Sequence, residues 1–320
     1  MELRRAKTAG LIAGVLAGTV ALGGCQAAQV TRSQDGGPGA PVRVTGPYVA
    51  LGDSYTAGPR IPDATGTPVG CLRSDANYPH LVAKALGLSG STQFRDVSCS
   101  SARVADLTRP QKTADGTNPP QLDALNSATR LVTVGIGGND VGFASLLGAC
   151  VQAGLEYQLS AGGRNAAHGV APCQAEYTSS GADEIAARIT KAGGKVAALL
   201  AQVRERAPHA RVFVVGYPAI LSEGDPGSCT GTLGLTAGDT LYLAAEEEAL
   251  NARLQQVATA AGARFVDTYT ASATHSACTD AQTRWVEPLF PASPAAPAHP
   301  NARGEAALAA AVLKAMRSPR

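Results

Sequence analysis

At 320 residues, 45% hydrophobic and 4% aromatic, the chain has the length and apolar content to build a sizeable core. Its 27 basic and 25 acidic residues leave a formal charge of +2 and no electrostatic footprint for nucleic acid. Seven cysteines occur with none spaced C-x-x-C, and no histidine pair has ligand spacing, so no metal is expected; an organic cofactor is not expected either.

Arg4, Arg5 and Lys7 precede an apolar stretch from residue 9 to 22, which ends in Leu22-Gly23-Gly24-Cys25. The stretch is too short to span a bilayer and no stop-transfer pattern follows, so residues 1–24 read as a signal peptide. Small residues closing on a cysteine resemble a bacterial lipobox, which implies cleavage before Cys25, acylation of its thiol and attachment to a membrane. Residues 25–46, rich in Gly, Pro and small polar side chains, are the expected flexible tether. Residues 47–320 then form one folded domain, because no linker-like composition shift follows Gly46, and a monomer is the expected state.

Apolar strand-like runs follow at 48–51, 94–97, 130–134, 211–216 and 264–266. Between them helical periodicity covers 78–86, 182–206, 237–261 and 304–316. This alternation predicts an α/β fold with a central parallel sheet in a three-layer α/β/α sandwich. Ligands of such sheets sit beyond the carboxyl ends of the strands. Residues 147–181 show little periodicity and read as a disulfide-stapled insertion near the cleft. Without Cys25, six cysteines remain, an even set that reads as disulfides in an exported chain. Neighbours in sequence fall in three loop regions, which favours Cys71 with Cys99, Cys150 with Cys173, and Cys229 with Cys278.

The first strand runs into Gly52-Asp53-Ser54-Tyr55-Thr56-Ala57-Gly58, a glycine-flanked turn with a serine at its tip. A serine hydroxyl becomes a nucleophile when a base takes its proton and N–H groups take up the charge that develops on the substrate oxygen. The Ser54 N–H, at a turn into a helix, is one such donor, with Asp53 supporting the turn. After the third strand comes Gly137-Gly138-Asn139-Asp140. A phosphate loop does not fit there, for want of a third spaced glycine or Gly-Lys-Ser/Thr. Gly137 lets that loop approach a substrate, Asn139 offers a side-chain N–H, and Asp140 is expected to hold the loop through backbone bonds.

His299-Pro300-Asn301 opens the last helix, and His299 is the candidate base by context. His80 and His209 occupy surface-type helix ends, His168 lies in the insertion and His275 beside a cysteine loop, none within a motif. Pro300 biases the His299 backbone toward extended angles and limits where the ring can point.

Together these three segments resemble the SGNH (GDSL) hydrolases, and more narrowly their secreted actinobacterial lipases and esterases, over nearly all of the mature chain. The resemblance implies the same cysteine pairing and ester hydrolysis through an acyl-enzyme. Ser54 would be the nucleophile, His299 the base, and Ser54, Ser101 and Asn139 the oxyanion donors. Two positions depart from the family. Ser101, in Cys99-Ser100-Ser101-Ala102, stands where a glycine is usual, and Ala296 where an aspartate usually precedes the histidine by three.

No carboxylate lies between Glu287 and His299, yet the ring still needs an acceptor to fix its tautomer. Pro288, Pro291, Pro294, Pro297 and Pro300 recur every third residue, a period that matches polyproline II, whose carbonyls lack internal partners. A main-chain carbonyl, such as that of Ala296, is therefore expected to replace the aspartate, as in some secreted members of the family. Trp285 is expected to pack this loop down. Expected substrates are fatty-acyl esters of neutral lipids or phospholipids. A carbohydrate O-acetylesterase is an alternative, against which the low aromatic content weighs. The other is a non-catalytic binding lipoprotein, kept open by Ser101 and the missing aspartate.

Overall fold

The computed structural model describes residues 46–160, 169–221 and 224–318. The signal segment, Cys25 with the tether before Gly46, and His168 lie outside them. In chain order come β1 (Tyr48–Gly52), α1 (Ser54–Ala57), α2 (Tyr78–Ala85), β2 (Phe94–Asp96), β3 (Gln111–Thr113), β4 (Gly116–Asn118), β5 (Leu131–Gly135), α3 (Gly138–Val141) and α4 (Phe143–Ser160). They continue with α5 (Pro172–Tyr177), α6 (Glu184–Arg206), β6 (Arg211–Val215), α7 (Pro226–Leu233), α8 (Ala237–Ala260), β7 (Arg264–Val266), α9 (Tyr269–Ser272) and α10 (Ala302–Arg317).

The main sheet runs β2-β1-β5-β6-β7 with every pair parallel, while β3 and β4 form a separate antiparallel hairpin. Successive strand side chains point to opposite faces, so continuously apolar strands feed two cores. Val49, Leu51, Val132, Val134 and Val214 join the core built with α6 and α8. Tyr48, Ala50, Leu131, Phe213 and Val215 join the one built with α2 and α10. The sheet is thus covered on both faces, the expected three-layer α/β/α fold. Because the chain goes from β1 to β2 on one side and returns to β5 on the other, the crevice between β1 and β5 is the topological switch point, where such sheets bind ligands.

The expected segments differ from the observed elements by at most two residues at either end, apart from residues 147–181. The described residues of that stretch are largely helical, in α4 up to Ser160 and in α5, and the expected staple Cys150–Cys173 joins these two helices. Gly154 of α4 packs so close to the carbonyl of Gly234 that a Cβ would stand 2.4 Å from it. Cys71–Cys99 and Cys229–Cys278 are the other two bonds.

Candidate active site

At the carboxyl end of β1 the chain turns into the single-turn α1. Asp53 caps that turn, accepting the Tyr55 N–H at 3.0 Å, and Gly58 ends it in the left-handed region at φ 68°. Gly52 is sterically required, since a Cβ there would stand 2.7 Å from the Gly135 carbonyl and closer still to Thr56. Its N–H and C=O are both bonded by the Gln121 side-chain amide, at 2.8 and 2.9 Å. These contacts leave Ser54 at the first helical position, nearly buried at the edge of the crevice.

His299 comes from the loop before α10. Its Nε2 lies 2.7 Å from Ser54 Oγ, and its Nδ1 lies 2.7 Å from the carbonyl oxygen of Pro297. The acceptor is therefore Pro297 and not Ala296, whose carbonyl instead takes the His299 backbone N–H at 3.2 Å. Ala298 adopts φ 58°, folding the chain back so that residue 297 can face the ring of residue 299. Tyr55 stacks on the imidazole, with centroids 4.7 Å apart, and its hydroxyl donates to the Ala298 carbonyl at 2.5 Å.

The proline-rich segment is not a polyproline II run. It closes on itself, with Glu287 N–H bonded to the His299 carbonyl and Ala298 N–H to the Glu287 carbonyl. The cause is the Glu287 carboxylate, fully buried, which accepts from Ala292 N–H, Ser293 N–H and the side chain of Asn301. Asn301 in turn caps α10 through Arg303 and Gly304 N–H. Trp285 packs the loop as expected, stacked on His275 at 4.2 Å with its carbonyl accepting Asn301 N–H.

Across the crevice, at the end of β5, Gly137 takes φ 125° and starts α3. Asn139 Nδ2 donates to the Ala102 carbonyl at 3.0 Å. The Asp140 side chain is buried and accepts Val104 N–H at 2.8 Å and the Lys195 ammonium at 2.7 Å, so it ties the turn after β5 to residue 104 and to α6. Ser101 occupies a left-handed conformation, φ 66°, in the turn held by Cys71–Cys99. It is exposed and stands outside the cavity lining, one residue before the carbonyl that holds Asn139.

Asp53, Ser54, Asn139 and His299 all line one cavity of about 250 Å³. Its remaining wall is mainly apolar, including Phe143, Leu147, Ile220, Leu250 and Leu289. Burial lowers the His299 pKa from the ordinary histidine value, the Pro297 bond opposes this, and the charge of Arg60 adds to the lowering. Burial also pushes the Asp53 carboxyl up to about 7, against hydrogen bonds from Tyr217 and Tyr55 that lower it. Among the described residues no group of His, Cys, Asp and Glu could hold a metal ion. The other described histidines lie elsewhere: His80 bonds Asn77 at 2.8 Å, His209 is exposed, and His275 sits against Trp285.

Tyr55, Tyr217 and Glu287 were not singled out by sequence as parts of the site. For the tyrosines a usable signal exists, because each follows directly on a motif or strand at the carboxyl edge of the sheet. Glu287 carries none, since two of its partners are backbone amides of a loop and the third, Asn301, stands fourteen residues on.

The profile of the GDSL-like lipase/acylhydrolase family matches residues 50–307. A protein named Lipase 2 from Streptomyces coelicolor is 40% identical over 296 residues, spanning 92% of this chain and 94% of its own. Among solved structures, phospholipase A1 from Streptomyces albidoflavus NA297 superposes with a TM-score of 0.67 at 27% identity, covering 85% of this chain and 99% of that one. The extracellular lipase of Streptomyces rimosus gives 0.65 at 28% identity, covering 84% and 98%.

Proposed function

Because the chain belongs to the GDSL-like lipase/acylhydrolase family and is a carboxylic ester hydrolase of the lipase and esterase type, we propose that it works through Ser54 and His299. The observation that carries this is the continuous line from Ser54 Oγ through the His299 ring to the Pro297 carbonyl. A carbonyl oxygen only accepts, so the ring proton sits on Nδ1 and Nε2 is the free base.

Ser54 Oγ attacks the ester carbonyl carbon while Nε2 takes its proton. The oxyanion that forms meets the Ser54 N–H and the second amide proton of Asn139, while Ser101, outside the cavity lining, serves the hole through the neighbouring Ala102 carbonyl that holds Asn139. Collapse of this intermediate breaks the bond to the alcohol oxygen, which leaves with the proton from His299, and Ser54 remains acylated. Water then attacks the acyl carbon, giving its proton to Nε2, and the acid departs as Ser54 regains a proton. No step asks for a cofactor.

An apolar cavity of about 250 Å³ would stand nearly empty around an acetyl group, which favours a longer fatty-acyl chain over acetylated carbohydrate. Three disulfides, and a likeness to an enzyme described as an extracellular lipase, support export. Anchoring through an acylated Cys25 rests on the lipobox resemblance, and incorporation of labelled palmitate lost in Cys25→Ala would test it.

The main test uses mature protein with disulfides intact, p-nitrophenyl esters from acetyl to palmitoyl, and a fluorophosphonate probe. Turnover and labelling are expected at Ser54, absent in Ser54→Ala, with an optimum beyond acetyl. Full activity in Ser54→Ala would overturn the assignment, and an acetyl optimum the substrate class.

A further inference from the structure

Tyr217 follows β6 at the same carboxyl edge of the sheet, nearly buried and lining the cavity. Its hydroxyl donates to Asp53 Oδ2 at 2.5 Å and accepts from Gly138 N–H at 2.8 Å. A phenol can do both at once, with one proton and free lone pairs. Asp53 immediately precedes Ser54, and its other carboxylate oxygen caps α1 through Tyr55 N–H. Gly138 immediately precedes Asn139. One hydroxyl therefore bridges the two turns that carry two of the oxyanion donors.

The bridge is itself held in place. Asn251 of α8 accepts Tyr217 N–H at 2.8 Å and donates to its carbonyl at 3.1 Å. The ring also meets Tyr55 edge-on at 5.2 Å, and Tyr55 carries the imidazole on its other contacts. Gly138 lets the turn come this near, because a Cβ there would stand 3.2 Å from the phenol ring. At their bases the two turns are already joined by Asp53 N–H to the Gly135 carbonyl at 3.0 Å. Tyr217 adds a tie at their tips, where the donors are.

We propose that Tyr217 is a positioning residue for the oxyanion hole, its hydroxyl setting the separation between the Ser54 N–H and the Asn139 amide. This rests on the reading of Ser54 and Asn139 given above. The hole must fit the tetrahedral oxyanion rather than the ground-state carbonyl, so a change in its spacing acts on kcat and not on KM. A tyrosine that only walled the cavity would act through acyl-chain binding, and removing its hydroxyl would leave kcat alone.

Tyr217→Phe keeps the ring and the wall while deleting both bonds. Its kcat on p-nitrophenyl octanoate is expected to fall on the order of 10- to 100-fold, with KM within about 2-fold of the parent. Fluorophosphonate inactivation, whose adduct places an oxygen in the same hole, should slow in step. Asp53→Ala removes the carboxylate end of the tie, which an asparagine would keep through its own amide, so the double variant should lose less than the product of the single losses. An unchanged kcat in folded Tyr217→Phe would overturn the proposal, as would a KM increase that grows with acyl length. If Tyr217→Phe does not fold, Asp53→Ala is read by the same split, and an unchanged kcat there overturns it. Activity surviving in Ser54→Ala would instead sink the underlying assignment, so the two failures are told apart.

Discussion

The carbonyl oxygen of Pro297 lies 2.7 Å from Nδ1 of His299, two residues later in the chain, where the usual partner would be a carboxylate. Both kinds of acceptor fix the tautomer. Only the carboxylate adds a full negative charge to support an imidazolium. Without that charge burial dominates, and the imidazole is held below the ordinary histidine value, with the Pro297 bond opposing and Arg60 assisting.

The pH dependence follows from that balance. His299 must be neutral to act as a base, so the acid limb of kcat/KM falls at lower pH than an ordinary histidine would give. Arg60→Gln removes a positive charge near the ring and should move the limb upward. Asp267→Asn should not move it, since the Asp267 carboxylate is engaged with Thr270. A limb that stays fixed in Arg60→Gln would mean that the titrating group is not His299.

Glu287 supports the base loop without touching the ring. Burial works against its ionised form, yet the bonds from Asn301, Ala292 and Ser293 outweigh it and leave the pKa below the usual glutamate value. A depressed folded pKa contributes stability that is present above the unfolded value and lost as pH falls through the folded one. Glu287→Gln puts an N–H₂ where amides need an acceptor. It should cost about 2 kcal/mol of stability and lower kcat by loosening His299, read together from thermal unfolding and turnover. Lost activity at full stability would place Glu287 in the chemistry instead.

The parallel sheet and the turns proposed to carry the chemistry were legible because strands buried on two faces read as short apolar runs, and because Ser54, Asn139 and His299 each follow a local signal. What escaped was tertiary. In α4 the buried positions include Cys150 and Gly154 while Leu155 and Leu159 are exposed, so the burial period is helical but the hydrophobic pattern is not. The every-third-residue prolines suggested an extended chain, and a single buried carboxylate, that of Glu287, gathers them into a loop instead. That His299 leans on a carbonyl was readable from the absent aspartate. Which carbonyl depended on the left-handed turn at Ala298, and alanine gives no hint of one.

Ser101 holds a conformation that costs an L-residue about 1 kcal/mol. Ser101→Gly relieves this but adds backbone freedom to the unfolded chain, worth roughly 0.5–1 kcal/mol. Stability and kcat should therefore both stay close to the parent. Ser101→Val asks a β-branched side chain to adopt φ 66° and should lose both, because the turn carries the Ala102 carbonyl that holds Asn139. A fully active valine variant would show that this backbone geometry does not matter to the hole.

Glu246 provides a pH effect on stability remote from the serine. It is buried on α8, with Oε2 lacking a hydrogen-bond partner, while Asp183 opposite it is bonded by Ile185 and Ala186 N–H as the cap of α6. Burial, and then the Asp183 charge, push the Glu246 carboxyl up to about 7. A raised folded pKa stabilises fully below the unfolded value of an ordinary glutamate, and that contribution is lost as pH rises through about 7. Glu246→Gln keeps the neutral shape at every pH. Its unfolding midpoint should match the parent at about pH 4, below the unfolded value, and exceed it at about pH 8, since only the parent must then hold a second carboxylate ionised between α6 and α8. A difference of the same size at both pH values would mean that packing, and not ionisation, separates the two proteins.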